Sequence, residues 1–140
     1  MKRLEDSLTL QLLRARESAM QFFRPVLQKA GFTEQQWRVL RVLNDHEELD
    51  AKQLADLSCI LSPSLTRIIT RFESDGFMVR KKSPHDQRIS LLSLTPKAIA
   101  LVAEFRPEVD AAYQSLIAKL GPKKMKALSA LLDDIIKLEV

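Results

Sequence analysis

The sequence predicts a mainly α-helical fold with one small β-hairpin, and three observations lead there. Residues 50–95 order as a short helix, a four-residue turn, a second helix opened by Ser62-Pro63, and two strands around the polar loop Pro84-His85-Asp86-Gln87-Arg88. On both sides of that block, apolar residues recur at spacings of three and four, the period of one helix face. The glycines Gly31, Gly76 and Gly121 each follow such a pattern, as helix-ending residues do. Together these describe a winged helix-turn-helix with a β-hairpin wing, flanked by long helices whose apolar stripes predict dimerisation through the N- and C-terminal segments, the alternative being that the stripes complete an intramolecular core.

The elements follow in order. From Ser7 to Ala30 the stripe is Leu8, Leu12, Ala15, Ala19, Phe22, Val26 and Ala30, and Pro25 inside it predicts a kink, because proline lacks the N–H that the helix ladder needs. Thr33 and Gln36 form a capping box for a helix through Asn44 that offers Trp37, Leu40 and Leu43 for burial. Asp50 and Gln53 repeat the box for the next helix, which stops near Ser58. Ser62 as N-cap and Pro63 at the first helical position open the second helix of the pair, which runs to Asp75 and ends on a left-handed Gly76. Phe77–Ser83 and Ile89–Leu94 are the strands. Thr95-Pro96 opens a further helix, kinked or broken at Pro107, and Gly121-Pro122 separates it from a last one carrying Met125, Leu128, Leu132, Ile135 and Leu138. With no repeat or linker, residues 1–140 read as a single domain: 1–31 and 107–140 as dimerisation helices, 33–95 as the winged helix-turn-helix, with its reading head at 50–95.

In the second helix of the reading head, Leu65, Ile68, Ile69 and Phe72 share one face and are predicted core, which leaves Ser64, Thr66, Arg67, Thr70 and Arg71 outward, with Ser62 at the start. Hydroxyls bond phosphates or base edges and arginine pairs bidentately with guanine, so this set suits a major groove. An ordinary solvated face with two arginines fits the helix taken alone. The hairpin adds Arg80-Lys81-Lys82 in its first strand and His85, Gln87 and Arg88 in its turn. A charged edge strand that resists aggregation is the alternative for the first three; following a recognition helix, Lys82, His85, Gln87 and Arg88 are expected to touch nucleic acid. Residues 51–95 hold seven Lys/Arg against four acids, which is +3 of the chain's +4. One recognition helix reads only a few base pairs, so the predicted partner is a pseudo-palindromic operator in double-stranded DNA, bound by a homodimer.

Other classes find less support. The 140 residues, 46% of them hydrophobic, suffice for one core. No apolar run approaches the ~20 residues of a membrane span, and Met1-Lys2-Arg3-Leu4-Glu5-Asp6 is not followed by a signal-peptide core. One cysteine allows no internal disulfide, so a cytoplasmic protein without a membrane partner is expected. His46 and His85 lie in predicted loops without partners at metal-ligand spacing, and neither a phosphate-cradling glycine loop nor a catalytic nucleophile is assembled. Neither metal, cofactor nor enzymatic activity is therefore expected. Cys59, in the turn between the two short helices, is predicted as a buried structural thiol, with redox sensing as the alternative.

Asp86-Gln87-Arg88, followed by Ser93-Leu94-Thr95, resembles the D-x-R wing and the entry to the next helix in MarR-family winged-helix repressors, and the element order is similar to that family along the whole chain. Gln11-Leu12-Leu13-Arg14-Ala15-Arg16-Glu17, Phe23-Arg24-Pro25, Thr33-Glu34-Gln35-Gln36-Trp37-Arg38 and Cys59-Ile60-Leu61-Ser62-Pro63-Ser64-Leu65 resemble the subgroup that represses homoprotocatechuate (hydroxyphenylacetate) degradation operons. The resemblance implies a dimer held by N- and C-terminal helices and a hydroxylated phenylacetate effector.

The residues offer groups for such a ligand. Arg16, Met20, Phe23 and Leu27 share one side of the first helix, Arg24 lies one turn beyond Met20, and Trp37 and Arg38 open the second helix. An arginine fork matches a carboxylate, and Phe and Trp faces match an aromatic ring, so Arg16, Met20, Phe23, Arg24, Trp37 and Arg38 are the candidate effector residues. Duller roles exist for each arginine and for the indole: Arg16 bridging to Glu17, Glu34 or a partner's acid, Arg38 snorkelling beside Val42, and Trp37 as plain core. The predicted function is a sequence-specific repressor of an aromatic-acid catabolic operon, released from DNA by a small aromatic carboxylic acid. The alternative is a MarR-type sensor of oxidants or phenolic compounds that regulates efflux or stress genes.

Overall fold

The computed structural model describes residues 3–140; Met1 and Lys2, at the start of the predicted dimerisation segment, lie outside the described residues. A short 3-10 turn at Leu4–Asp6 precedes α1 (Leu8–Met20), α2 (Arg24–Ala30), α3 (Glu34–His46), β1 (Glu48–Asp50), α4 (Ala51–Ser58), α5 (Ser62–Ser74), β2 (Met78–Lys82), β3 (Ser90–Leu94), α6 (Pro96–Leu120) and α7 (Pro122–Ile136). This is the mainly α winged helix-turn-helix that the sequence predicts. The chain forms two compact units, Val26–Pro107 and Met1–Pro25 with Glu108–Val140.

In the unit Val26–Pro107, both predicted capping boxes are present: Thr33 and Gln36 exchange side-chain bonds with each other's backbone N–H at the start of α3, and Asp50 and Gln53 do so at α4. Each cap contributes on the order of 1 kcal/mol by satisfying helix-end N–H groups that have no partner in the ladder. The opening of α5 differs from expectation. Leu61 is the N-cap and Ser62 and Pro63 take the first two helical positions, so the Ser62 hydroxyl makes no cap bond. The chain enters α5 extended at Leu61, the conformation that sterics favour ahead of a proline-started turn. Leu65, Ile68, Ile69 and Phe72 are buried, as the α5 pattern requires, against Val39, Leu40 and Leu43 of α3, Leu54 of α4 and Leu92 of β3, all in the same core.

The sheet has a third strand that the sequence reading missed. Its order is β1-β3-β2, with Leu49 opposite Leu92 and Met78 opposite Leu94, both pairs antiparallel. β1 is three residues long, too short for alternation to mark it, and its last residue doubles as the α4 cap. By pairing with β3 it leaves β2, with its Arg80-Lys81-Lys82, on the sheet edge.

Three further expectations are corrected. The first helix is not kinked at Pro25 but interrupted just before it, where Phe22 and Phe23 bond back three residues to Ala19 and Met20; Pro25 then sits in the first turn of α2, where a missing N–H costs nothing. Of the two outcomes expected at Pro107, the break is not found: α6 continues through it, and Pro107 falls at the boundary of the two units. His46 closes α3 instead of lying in a loop.

The other unit contains α1, α7 and the C-terminal half of α6. Every buried apolar side chain among the described residues lies in Val26–Pro107, and none lies in this terminal unit. Leu13, Leu131, Ile136 and Leu138 are instead more than half exposed there. Apolar area of this extent, left open to water on amphipathic helices, marks an interaction surface.

Candidate nucleic-acid interface and ligand cavity

Burial of one α5 face fixes what the other presents. Ser62, Thr66, Arg67, Thr70 and Arg71 are exposed and Ser64 is half-buried, so the six α5 residues named from sequence lie on or beside the open side of one helix. Their partners differ. Arg71 Nε is held by Asp75 at 2.9 Å, a one-turn ion pair along the helix. Arg67 makes no ion pair or side-chain hydrogen bond among the described residues. A guanidinium with all five donors open on a solvent-facing recognition helix is the group most able to take a guanine edge.

The wing sorts its basic residues in the same way. Arg80 is tied to Glu73 at 2.9 Å and Lys81 to Glu48 at 3.1 Å, which fits their place on an edge strand. The Glu73 hydrogen bond raises the Arg80 pKa above its ordinary value. Lys82 has no such acid among the described residues. At the tip, Ser83 N–H donates to the Ile89 carbonyl at 2.8 Å and Ile89 N–H to the Asp86 carbonyl at 3.0 Å, which closes the loop and leaves His85, Gln87 and Arg88 exposed. Asp86 accepts from Arg88 Nε and Nη2, each at 3.1 Å, and from the Arg88 backbone N–H at 3.0 Å. Those bonds, the side-chain ones foremost, hold the Asp86 carboxyl below its ordinary pKa. Arg88 is thus aimed by Asp86 while its side chain stays 91% exposed.

Of the residues proposed to meet an effector, Arg16 lines an apolar cavity of about 560 Å³ in the terminal unit, with Leu12, Ala19, Leu116, Leu128 and Leu132 among its walls. Arg16 is the only charged side chain on that lining. Met20 is half-buried, Phe23 lies against Tyr113 with ring centroids 6.3 Å apart, and Arg24 is paired with Glu17 at 2.8 Å. Trp37 and Arg38 belong to the other unit. Trp37 is 7% exposed and packs beside Phe32, at 6.3 Å between centroids. Arg38 donates to the Ser58 carbonyl and to Glu34 Oε1, both at 2.7 Å, and so fastens α3 to the end of α4.

The sequence pattern of the MarR family matches residues 32–90. The chain is 43% identical over 135 residues to the homoprotocatechuate degradative operon repressor of Escherichia coli, covering 96% of this chain and 91% of that protein. The crystal structure of NadR in complex with 4-hydroxyphenylacetate has a TM-score of 0.83 and 42% identity, over 99% of this chain and 97% of that one. The transcriptional repressor CouR, bound to a 23-mer DNA duplex, has a TM-score of 0.85 and 28% identity, over 98% of this chain and 97% of that one. The chain belongs to the MarR family.

This MarR-family chain carries one arginine that sequence reasoning passed over. Arg41 lies one turn beyond Trp37 on α3, and its Nε is buried with no hydrogen-bond acceptor among the described residues. Its signal was visible: an arginine flanked by Leu40, Val42 and Leu43 in an apolar helix segment needs an anion or a route to water. Cys59 is the reverse case. It is exposed, not buried, because it ends α4 in the left-handed conformation at φ 53°, while Ser58 takes the buried place beside it. No helix is long and apolar enough to cross a membrane, and no group of metal-ligating side chains is found, both among the described residues.

Proposed function

We propose that this protein is a dimeric, sequence-specific DNA-binding repressor of an aromatic-acid catabolic operon, released from its operator by a hydroxyphenylacetate-type acid. The observation that carries the DNA reading is the exposed basic set on α5 and the wing: Arg67 and Lys82 have no acid partner among the described residues, and Arg71 and Arg88 stay mostly exposed although each is paired with an acid, whereas Arg80 and Lys81 are tied to acids along the edge strand. Ser62, Ser64, Thr66, Arg67, Thr70 and Arg71 enter the major groove, and Lys82, His85, Gln87 and Arg88 follow the backbone or the minor groove. The unburied apolar faces of α1 and α7 bury one another across a two-fold axis, which doubles the half-site. A regulator working on DNA by binding, without catalysis, belongs in the cytoplasm.

For the effector, two arginines supply the chemistry. Arg16 is a single cation in an apolar cavity whose size suits a small aromatic acid. Arg41 has a buried donor in want of an acceptor. Within the terminal unit Met20, Phe23 and Arg24 are the further candidates beside Arg16, and within Val26–Pro107 Trp37 and Arg38 are those beside Arg41, with Arg38 already donating to Ser58, Cys59 and Glu34. The E. coli repressor's operon and the NadR ligand point to the same class of acid. Calorimetry with 4-hydroxyphenylacetate on wild type, Arg16→Ala and Arg41→Ala separates the assignments. Loss of binding in one variant names the carboxylate partner; undiminished binding in both refutes an arginine-held carboxylate.

The exposure of Cys59, one turn ahead of the recognition helix, favours a second reading as an oxidant or phenolic sensor. Release of DNA by peroxide in wild type but not in Cys59→Ser would establish it.

A further inference from the structure

We propose that Thr66 and Thr70 select thymine through their methyl groups and not through their hydroxyls. The inference rests on the DNA-reading function above and names what this part of α5 recognises. Thr66 Oγ1 donates to the Ser62 carbonyl and Thr70 Oγ1 donates to the Thr66 carbonyl, each at 2.9 Å. A hydroxyl has one hydrogen to give. With that hydrogen committed one turn back along the helix, neither threonine has a donor left for a phosphate oxygen, for guanine O6 and N7 or for adenine N7.

What remains on each is the Oγ1 lone pairs and the Cγ2 methyl, and both side chains are exposed. The back-bond also restricts χ1, since a helical threonine divides between two rotamers according to that bond, so the methyl is held in place before any duplex arrives. Four residues apart, the two methyls lie on one face of α5, about 6 Å along its axis. Arg67 stands beside them with its donors open. Thymine alone presents a methyl group on its major-groove edge, and apolar contact with threonine is an established way to read it. On this face, therefore, the arginine supplies hydrogen bonds and the threonines supply an apolar surface, which predicts guanine and thymine close together in each half-site.

The test uses the full-length protein and a duplex that it selects from a randomised pool. Each thymine of that duplex is replaced in turn by deoxyuridine, which removes the 5-methyl and nothing else. Wild type is expected to lose about fourfold in affinity at each contacted thymine, the worth of one buried methyl. Thr66→Val and Thr70→Val keep a methyl at that place and remove the hydroxyl; Thr66→Ser and Thr70→Ser do the opposite. The valine variants should retain the wild-type preference for thymine over uracil, and each serine variant should lose it at one position per half-site while melting as wild type does. Retention in the serine variants with loss in the valine variants overturns the proposal, as does a wild-type affinity indifferent to every replacement. If wild type selects no duplex at all, the DNA-reading function itself falls.

Discussion

Arg38 Nη1 donates to the Ser58 carbonyl at 2.7 Å, so a side chain of α3 caps the last turn of α4 just before the recognition helix begins. A cation at a helix C-terminus meets the negative end of its dipole and an orphaned carbonyl together. The same guanidinium is braced by Glu34 at 2.7 Å, and both partners of that pair are about 30% exposed, which moderates its worth.

Arg38→Ala should lower stability by about 1–3 kcal/mol, the range for a charge-assisted hydrogen bond whose acceptor is left unpaired. Because the turn from Ser58 to Leu61 sets where α5 starts, operator affinity should fall with the salt slope unchanged. Denaturant melts and binding at several salt concentrations measure both; a changed slope would make Arg38 a phosphate contact instead.

Arg67→Ala should relax sequence preference by about 1–3 kcal/mol, because one good bidentate base contact is lost. Operator and scrambled duplex, titrated side by side, decide it. Equal weakening on both would turn Arg67 into a phosphate clamp.

Arg88→Ala should weaken operator binding and shallow its salt dependence by about 0.9 for each phosphate contact removed. Its partner carries a pH signature. Asp86 is held below its ordinary value near 3.8 by the Arg88 hydrogen bonds. A depressed carboxyl stabilises above its unfolded-state value, and that contribution is lost as pH falls through the lower folded value, so wing order should not vary near neutrality. An NMR titration of Asp86 should find its midpoint below 3.8 in wild type and higher in Arg88→Ala; equal midpoints would break the assigned pairing.

Leu131 is 61% exposed on α7. Leu131→Asp should shift the protein from dimer to monomer in sedimentation and weaken operator binding with it, since two half-sites are no longer joined. A variant that stays dimeric would move the interface off this part of α7.

Much of this was legible in the sequence because local rules decided it. The two capping boxes, the α5 core face and the Asp86–Arg88 wing each rest on residues within seven positions of one another, and all stand in the structure. Long-range partners were not legible. β1 exists only because Leu49 finds Leu92 across more than forty residues, and Arg38 found a carbonyl twenty residues away where the sequence suggested an effector or water. Pairing of Arg80 and Lys81 with acids on other elements was equally invisible, yet it is what singles out Lys82. Cys59 was misjudged because its burial depends on a left-handed cap that its residue type does not announce.

An aromatic acid should release this repressor from DNA. Ligand binding then favours a spacing of the two recognition helices that no longer fits half-sites about 34–36 Å apart. The direct measurement is operator affinity against increasing 4-hydroxyphenylacetate, with 4-hydroxyphenylethanol, which lacks the carboxylate, as control. Affinity should fall about 5- to 150-fold with the acid, the usual span of allosteric coupling, and not with the alcohol. An affinity that holds or tightens with the acid would contradict that release.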